Sequence, residues 1–204
     1  MYNNRKFDIR CFILLVKIGG SIRGYWCREG YIRTSSSEFK QSEYKNPYIH
    51  LTNDAIQAHS ENYGKFEEGN KISFNNFQKY LDFKYNCKYN FQKEVYPKLQ
   101  SMALDSMKAS IESLGIDHPG EVFELFGLDF MIDSSFQPWL IEVNTNPSIE
   151  TTSYIQGKLL PRILDDAFKL SLDIAFPPPE NWPKSKHHLI PSLANCFSLI
   201  FSWP

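Results

Sequence analysis

The chain has 204 residues, 42% of them hydrophobic, and a formal net charge of -1; this suits one soluble globular core, excludes a disordered chain, and gives no reason for bulk attraction to nucleic acid. No apolar run approaches the roughly 18 residues of a membrane span, and the N-terminal MYNNRKFDIRCFILLV has no small-residue cleavage site. An intracellular protein is expected. Four cysteines, Cys11, Cys27, Cys87 and Cys196, lack CxxC spacing, which points to reduced structural thiols rather than a disulfide framework or a thiolate zinc site.

RKFDIRCFILLVKIGGSIRGYWCREGYIRTSS alternates with period two about Gly19-Gly20, so the chain is expected to open in an antiparallel hairpin. HLTNDAIQAHSENYG predicts a short helix capped near Thr52 or Asn53, and Phe74, Phe77 and Leu81 recur at helical spacing behind a Ser73 cap. A third helix is predicted from Lys93 to Leu114, with Pro97 tolerable only in its first turn and Gly115 as its stop. Two strands follow, ELFGLDFMI and PWLIEVN joined by DSSFQ, then a helix from about Gly157 to Ile174 that a run of prolines terminates. The last segment is apolar, contains prolines and has no period, so no fold is assigned to it. Strands in hairpin pairs with interleaved helices favour an α+β or mixed α/β class over a doubly wound sheet.

Charge is uneven along this order. Residues 1–40 hold eight Lys/Arg against three acids, and residues 101–176 hold four against twelve, an arrangement suited to an anion held among cations. In the second hairpin Glu142 and Asn144 share a strand face opposite Ile141 and Val143, and a register symmetric about the turn sets Asp129 across from Glu142. Two opposed carboxylates repel, and a bound cation would reverse the sign. Carboxylates and an amide oxygen, with no Cys or His, suit Mg²⁺ rather than zinc; a solvated polar face is the other reading. Lys6, Asp8 and Arg10 likewise share one face, with Arg28 and Arg33 on neighbouring segments, as phosphate-binding cations or as a salt-bridged edge strand. HLTN is a lining of the same site or a helix cap. The five histidines show no metal-ligand spacing.

RKFDIRCFILLV, REGYIRTSS, HLTNDAIQ, YGKFEEGN, FELFGLDFMID and WLIEVNTNPS stand in the order, and at roughly the intervals, of the tubulin tyrosine ligase-like family, which the chain resembles over about residues 5–176. The resemblance implies an ATP-grasp fold, ATP and Mg²⁺ as cofactors, and ligation of an amino acid (tyrosine, glutamate or glycine) to a tubulin C-terminal tail through an acyl phosphate. By the same resemblance Asp129, Glu142 and Asn144 would hold Mg²⁺, Lys6 and Asp8 would contact the nucleotide with Thr52 and Asn53 lining its cleft, and Arg10 and Arg33 would be catalytic. Family members carry substantial sequence ahead of RKFDIR, so the expectation is the C-terminal portion of an ATP-grasp domain over residues 1–176, an antiparallel sheet with packed helices, followed by a Pro-containing tail over 177–204. Expected partners are tubulin or microtubules and a free amino acid, without nucleic acid or membrane, in the cytoplasm and cytoskeleton, cilium or flagellum included. A non-catalytic tubulin-binding remnant and an ATP-grasp ligase for another substrate are the alternatives.

Overall fold

The structure is a computed structural model that describes residues 1–113, 120–177, 179 and 195–203. In chain order it contains β1 (Arg5–Ile18), β2 (Ser21–Cys27), β3 (Tyr31–Glu38), the short helices α1 (Pro47–His50) and α2 (Asp54–Gln57), β4 (Lys71–Ser73), α3 (Phe74–Tyr85) and α4 (Tyr96–Ser110). Then come β5 (Val122–Ile132), β6 (Pro138–Asn144), α5 (Tyr154–Leu170), α6 (Leu172–Ala175) and β7 (Phe197–Trp203). The seven strands form one sheet whose strand pairings are all antiparallel, and the helices pack against it, as an α+β pattern requires. Among the described residues no helix is long and apolar enough to cross a membrane.

Strand β1 is the spine. Along one edge β3 pairs with its first half and β2 with its second, and along the other edge runs β5. Gly19 and Gly20, with φ of 61° and 83°, make the two-residue turn into β2. The segment read from sequence as one returning half is two strands, because residues 28–30 leave the ladder with β1 before β3 resumes it in the same direction as β2.

Alternation sorts the side chains of β1 onto two faces. Phe7, Ile9, Cys11, Ile13 and Leu15 pack on one face with Phe77 and Leu81 of α3 and Leu99 and Ala103 of α4. On the other, Phe12, Leu14 and Val16 meet Leu159, Leu160 and Ile163 of α5. No β1 residue before Phe12 joins that second cluster. The same face instead continues with Arg10 and Asp8, so it changes from apolar to charged where the cover of α5 ends. That change positions the site.

The helix signals read locally. Ser73 accepts from Asn76 N at 3.2 Å and caps α3; Ser153 caps α5, which starts at Tyr154, three residues before the expected start. Pro97 lies in the first turn of α4, behind a π-type turn over Phe91–Val95. The expected stop at Gly115, and His118, His187 and His188, lie outside the described residues.

The tail, left without a fold from sequence, supplies β7, which pairs with the edge of β2 and covers its unsatisfied backbone groups. Gly24 permits this contact: a Cβ there would lie 2.0 Å from the ring of Phe201. Gly24→Val is therefore expected to expel β7 and raise deuterium exchange in residues 22–27 by roughly tenfold or more. Unchanged protection would contradict the packing argument.

Candidate functional site

The β5–β6 hairpin carries the acidic side of the site. Asp133 organises its turn by accepting from Ser135 N at 2.9 Å and Gln137 N at 3.0 Å. Near the turn Met131 pairs with Trp139, but beyond a bulge at Ile141 the register becomes Asp129 with Glu142 and Gly127 with Asn144. The symmetric register thus describes the half of the hairpin that bears the polar residues and not the half next to the turn. The bulge also redirects a side chain: Ile141, expected on the face opposite Glu142, lines the same cavity as Glu142.

Asp129 does not face Glu142 as a bare like charge. Its Oδ1 accepts from Arg10 Nε at 2.6 Å, and its Oδ2 accepts from Arg10 Nη2 at 3.1 Å and Arg33 Nη2 at 2.8 Å. Arg33 in turn forks onto Asp8, with Nε to Oδ1 and Nη2 to Oδ2 both 2.7 Å. Asp8 also accepts from the hydroxyl of Thr52. The expected repulsion is corrected by these arginines, which neutralise the carboxylate from the neighbouring strand β1 and from β3 beyond it rather than from across a cleft. Gly127 makes room for this, since a Cβ there would lie 2.8 Å from Pro147 and 3.3 Å from Arg10 Nη1.

Asp8, Arg10, Arg33, Thr52 and Asp129 are all buried, and two cations balance two anions. Burial pushes the Asp129 carboxyl up, but the Arg10 hydrogen bond and the charges of Arg33 and Arg10 outweigh it and hold it at about 2. Burial disfavours the Arg33 cation, and Asp8 and Asp129 more than offset that, raising its pKa. A point-charge ammonium cannot reproduce the three bonds Arg33 makes, so Arg33→Lys is expected to cost about 1–3 kcal/mol in urea unfolding by leaving a buried acceptor unmet. An unchanged midpoint would favour the exposed edge-strand reading.

Asn144 is half-buried beside the exposed Glu142. Its Nδ2 donates to Glu142 Oε1 at 3.0 Å and to Asp129 Oδ2 at 3.4 Å, so the positive end of an amide dipole sits between two carboxylates. Among the described residues no group of three or more His, Cys, Asp and Glu is placed to hold a metal. The donor set of two carboxylates and one amide fits Mg²⁺, which needs only one or two carboxylates when phosphate oxygens and water complete its shell.

The remaining sequence candidates converge here. A cavity of about 250 Å³ is lined by Lys6, Asp8, Arg33, Thr52, Asn53 and Asp129, with Met131 and Ile141 as an apolar wall. Lys6 Nζ donates to the carbonyl of His50 at 2.7 Å. Asn53 lines the cavity and also caps α2, accepting from Ala55 N at 2.9 Å, so both readings of HLTN describe one residue. Arg28 is not brought in; from the break between β2 and β3 it donates to the Asn195 carbonyl just ahead of β7.

Two buried charges escaped the sequence reading. Arg5, 1% exposed, pairs with Glu67, donates to Thr34 Oγ1 at 3.2 Å and stacks 4.3 Å from the ring of Phe66. Lys71 on β4 pairs with Asp54. Between them Asn70 Nδ2 donates to the Thr34 carbonyl at 3.0 Å and to Ser36 Oγ at 2.9 Å. YGKFEEGN followed by Lys71 is thus a string of polar anchors that fastens the α1–α2 segment to β3; a charged residue in a strand-like stretch was the only signal.

Arginines and carboxylates that alternate on a sheet and open on a cavity of hard oxygen donors suit a polyanion accompanied by a cation. The chain belongs to the tubulin-tyrosine ligase family, whose model matches residues 1–183. It is 33% identical over 173 residues to Tubulin glycylase 3B of Tetrahymena thermophila, covering 85% of this chain and 14% of that protein. It is 36% identical over 173 residues to Tubulin glycylase 3A of Drosophila melanogaster, covering 82% and 17%. To the probable tubulin polyglutamylase TTLL9 of Mus musculus it is 30% identical over 166 residues, covering 81% and 35%. The chain therefore spans well under half the length of these relatives.

Proposed function

We propose that the chain is catalytic machinery of an ATP-grasp ligase that uses ATP and Mg²⁺ to join an amino acid to a tubulin C-terminal tail through an acyl phosphate. Glycine and glutamate are the first candidates for the amino acid, because the similar proteins are named as glycylases and polyglutamylases. The observation that carries the reading is Asp129, a buried carboxylate shared by two arginines beside a second carboxylate and an amide. Tubulin or microtubules would be the partner, in the cytoplasm and cytoskeleton, cilium or flagellum included.

In this reading Asp129, Glu142 and Asn144 would hold Mg²⁺, the Asn144 amide turning by half so that its oxygen replaces the N–H₂ that now faces the carboxylates. Bound there, the metal would offset charge on the transferring phosphoryl group. Each arginine then exchanges part of its bonding to Asp129 for phosphate oxygens, so the ion pairs hold the guanidinium groups preorganised until an anion arrives. Lys6 can turn from the His50 carbonyl towards the same oxygens. No side-chain nucleophile is required: a tail carboxylate takes the phosphoryl group and the amine of the amino acid displaces phosphate. Because cation and anion relieve one another's cost at Asp129, each should strengthen binding of the other. Titration with a non-hydrolysable ATP analogue, with and without Mg²⁺, tests this. Saturable, Mg²⁺-dependent binding is expected; no binding under either condition favours a non-catalytic tubulin-binding remnant.

A further inference from the structure

Lys71 has no place in the site as read from the sequence, yet its side chain is 0% exposed. It pairs with Asp54 and donates to the Gly69 carbonyl at 2.8 Å. A buried lysine is costly unless paired, and burial does push the Lys71 pKa down, with Asp54 opposing. The contacts around it close a ring. Lys71 stands opposite Arg33 in the β3–β4 ladder, and Arg33 opposite Asp8 in the β1–β3 ladder. Asp8 accepts from Thr52, and Thr52 is two residues from Asp54, the carboxylate that Lys71 grips.

Of its five links two are made by the sheet ladders, one by the chain from Thr52 to Asp54, and two by side chains. Those two are Thr52 to Asp8 and Asp54 to Lys71. The segment they hold, Leu51–Gln57, has only one four-residue helix of its own, so its position depends on such tethers. We infer that Lys71 is a positioning residue: by holding Asp54 from behind, it fixes the start of α2 so that Thr52 and Asn53 stay against Asp8 at the cavity. The consequence for ligand binding rests on the proposed nucleotide site; the positioning itself does not.

Two measurements separate these claims. In the free protein, Lys71→Met is expected to raise deuterium exchange at the Gln57 and Ala58 amides, which bond to the Asn53 and Asp54 carbonyls, by roughly tenfold, the scale of one lost charge-assisted bond. Lys71→Arg should restore protection, and β1 amides should not change. Asp54→Asn removes the same pair from its more exposed side and should act alike, so the inference remains testable if Lys71→Met fails to fold. With the ATP analogue and Mg²⁺, Lys71→Met should weaken binding by roughly tenfold, and it should add little in a Thr52→Val background if it acts through Thr52. Unchanged exchange in both Lys71→Met and Asp54→Asn, or fully additive effects of Lys71→Met and Thr52→Val on binding, would overturn the inference. Absent nucleotide binding in the wild type would sink the nucleotide site and leave the exchange result to decide the role of Lys71.

Discussion

Asp129→Asn is expected to destabilise the fold by about 3–5 kcal/mol even with no ligand, because it leaves Arg10 and Arg33 buried without their shared counter-charge. The opposed-carboxylate reading of the hairpin leads to the contrary expectation, relief of repulsion and no loss. The difference lies in what the carboxylate touches: two guanidinium groups, with an amide N–H₂ rather than a bare carboxylate on the hairpin side. Asn would set its own N–H₂ against those donors. The pH dependence carries the same sign. The folded carboxyl titrates at about 2 against 3.8 for an unperturbed one, a depressed value, so its contribution is complete above the unfolded pKa and is lost as pH falls from about 4 towards 2. It amounts to on the order of 2 kcal/mol. Urea unfolding at pH 7 and along an acid series should give a large neutral-pH deficit for the variant and a shallower acid slope. Equal stability at pH 7 would remove Asp129 from the centre of the cluster.

Glu142→Gln, one rung across the same hairpin, is expected to do the opposite. Glu142 is exposed and its side chain accepts one hydrogen bond, from Asn144, so its replacement should change stability by less than about 0.5 kcal/mol. In the proposed reaction it removes a metal-binding charge, and turnover should fall by about two to three orders of magnitude, the cost of losing one preorganised stabilising group. Thermal unfolding and ligation measured on the same preparation separate the outcomes. Wild-type turnover would end the metal assignment for Glu142, and a large loss of stability would make it a structural residue instead.

Which parts of this site the sequence disclosed follows from the range of each signal. Side-chain alternation is local and regular, so Glu142 and Asn144 could be put on one face, and a five-residue turn was enough to bring Asp129 opposite. The bulge at Ile141 could not be read, because one extra residue leaves the alternation on either side intact. The helix caps Ser73 and Asn53 were legible for the same local reason. The split of residues 21–38 into β2 and β3 was not, since both halves alternate and the break depends on β1 being long enough to accept two strands along one edge. Strand β7 was hidden by the aperiodic proline-containing segment before it, and its docking on Gly24 is a long-range contact. Partners of buried charges were the least visible. Arg10 pairs across 119 positions and Arg5 across 62, and nothing near either arginine in the chain names its acid.

The proposed role of the Arg10–Asp129–Arg33–Asp8 cluster and its hairpin is amide-bond formation on tubulin. It is tested most directly by incubating the protein that carries this chain with tubulin, ATP, Mg²⁺ and labelled glycine, glutamate or tyrosine, beside its Glu142→Gln variant. Label from glycine or glutamate is expected in the tubulin tails, dependent on both ATP and Mg²⁺ and lost in the variant. Label that persists undiminished in the variant, or no label from any of the three amino acids under conditions where the ATP analogue binds, would contradict it.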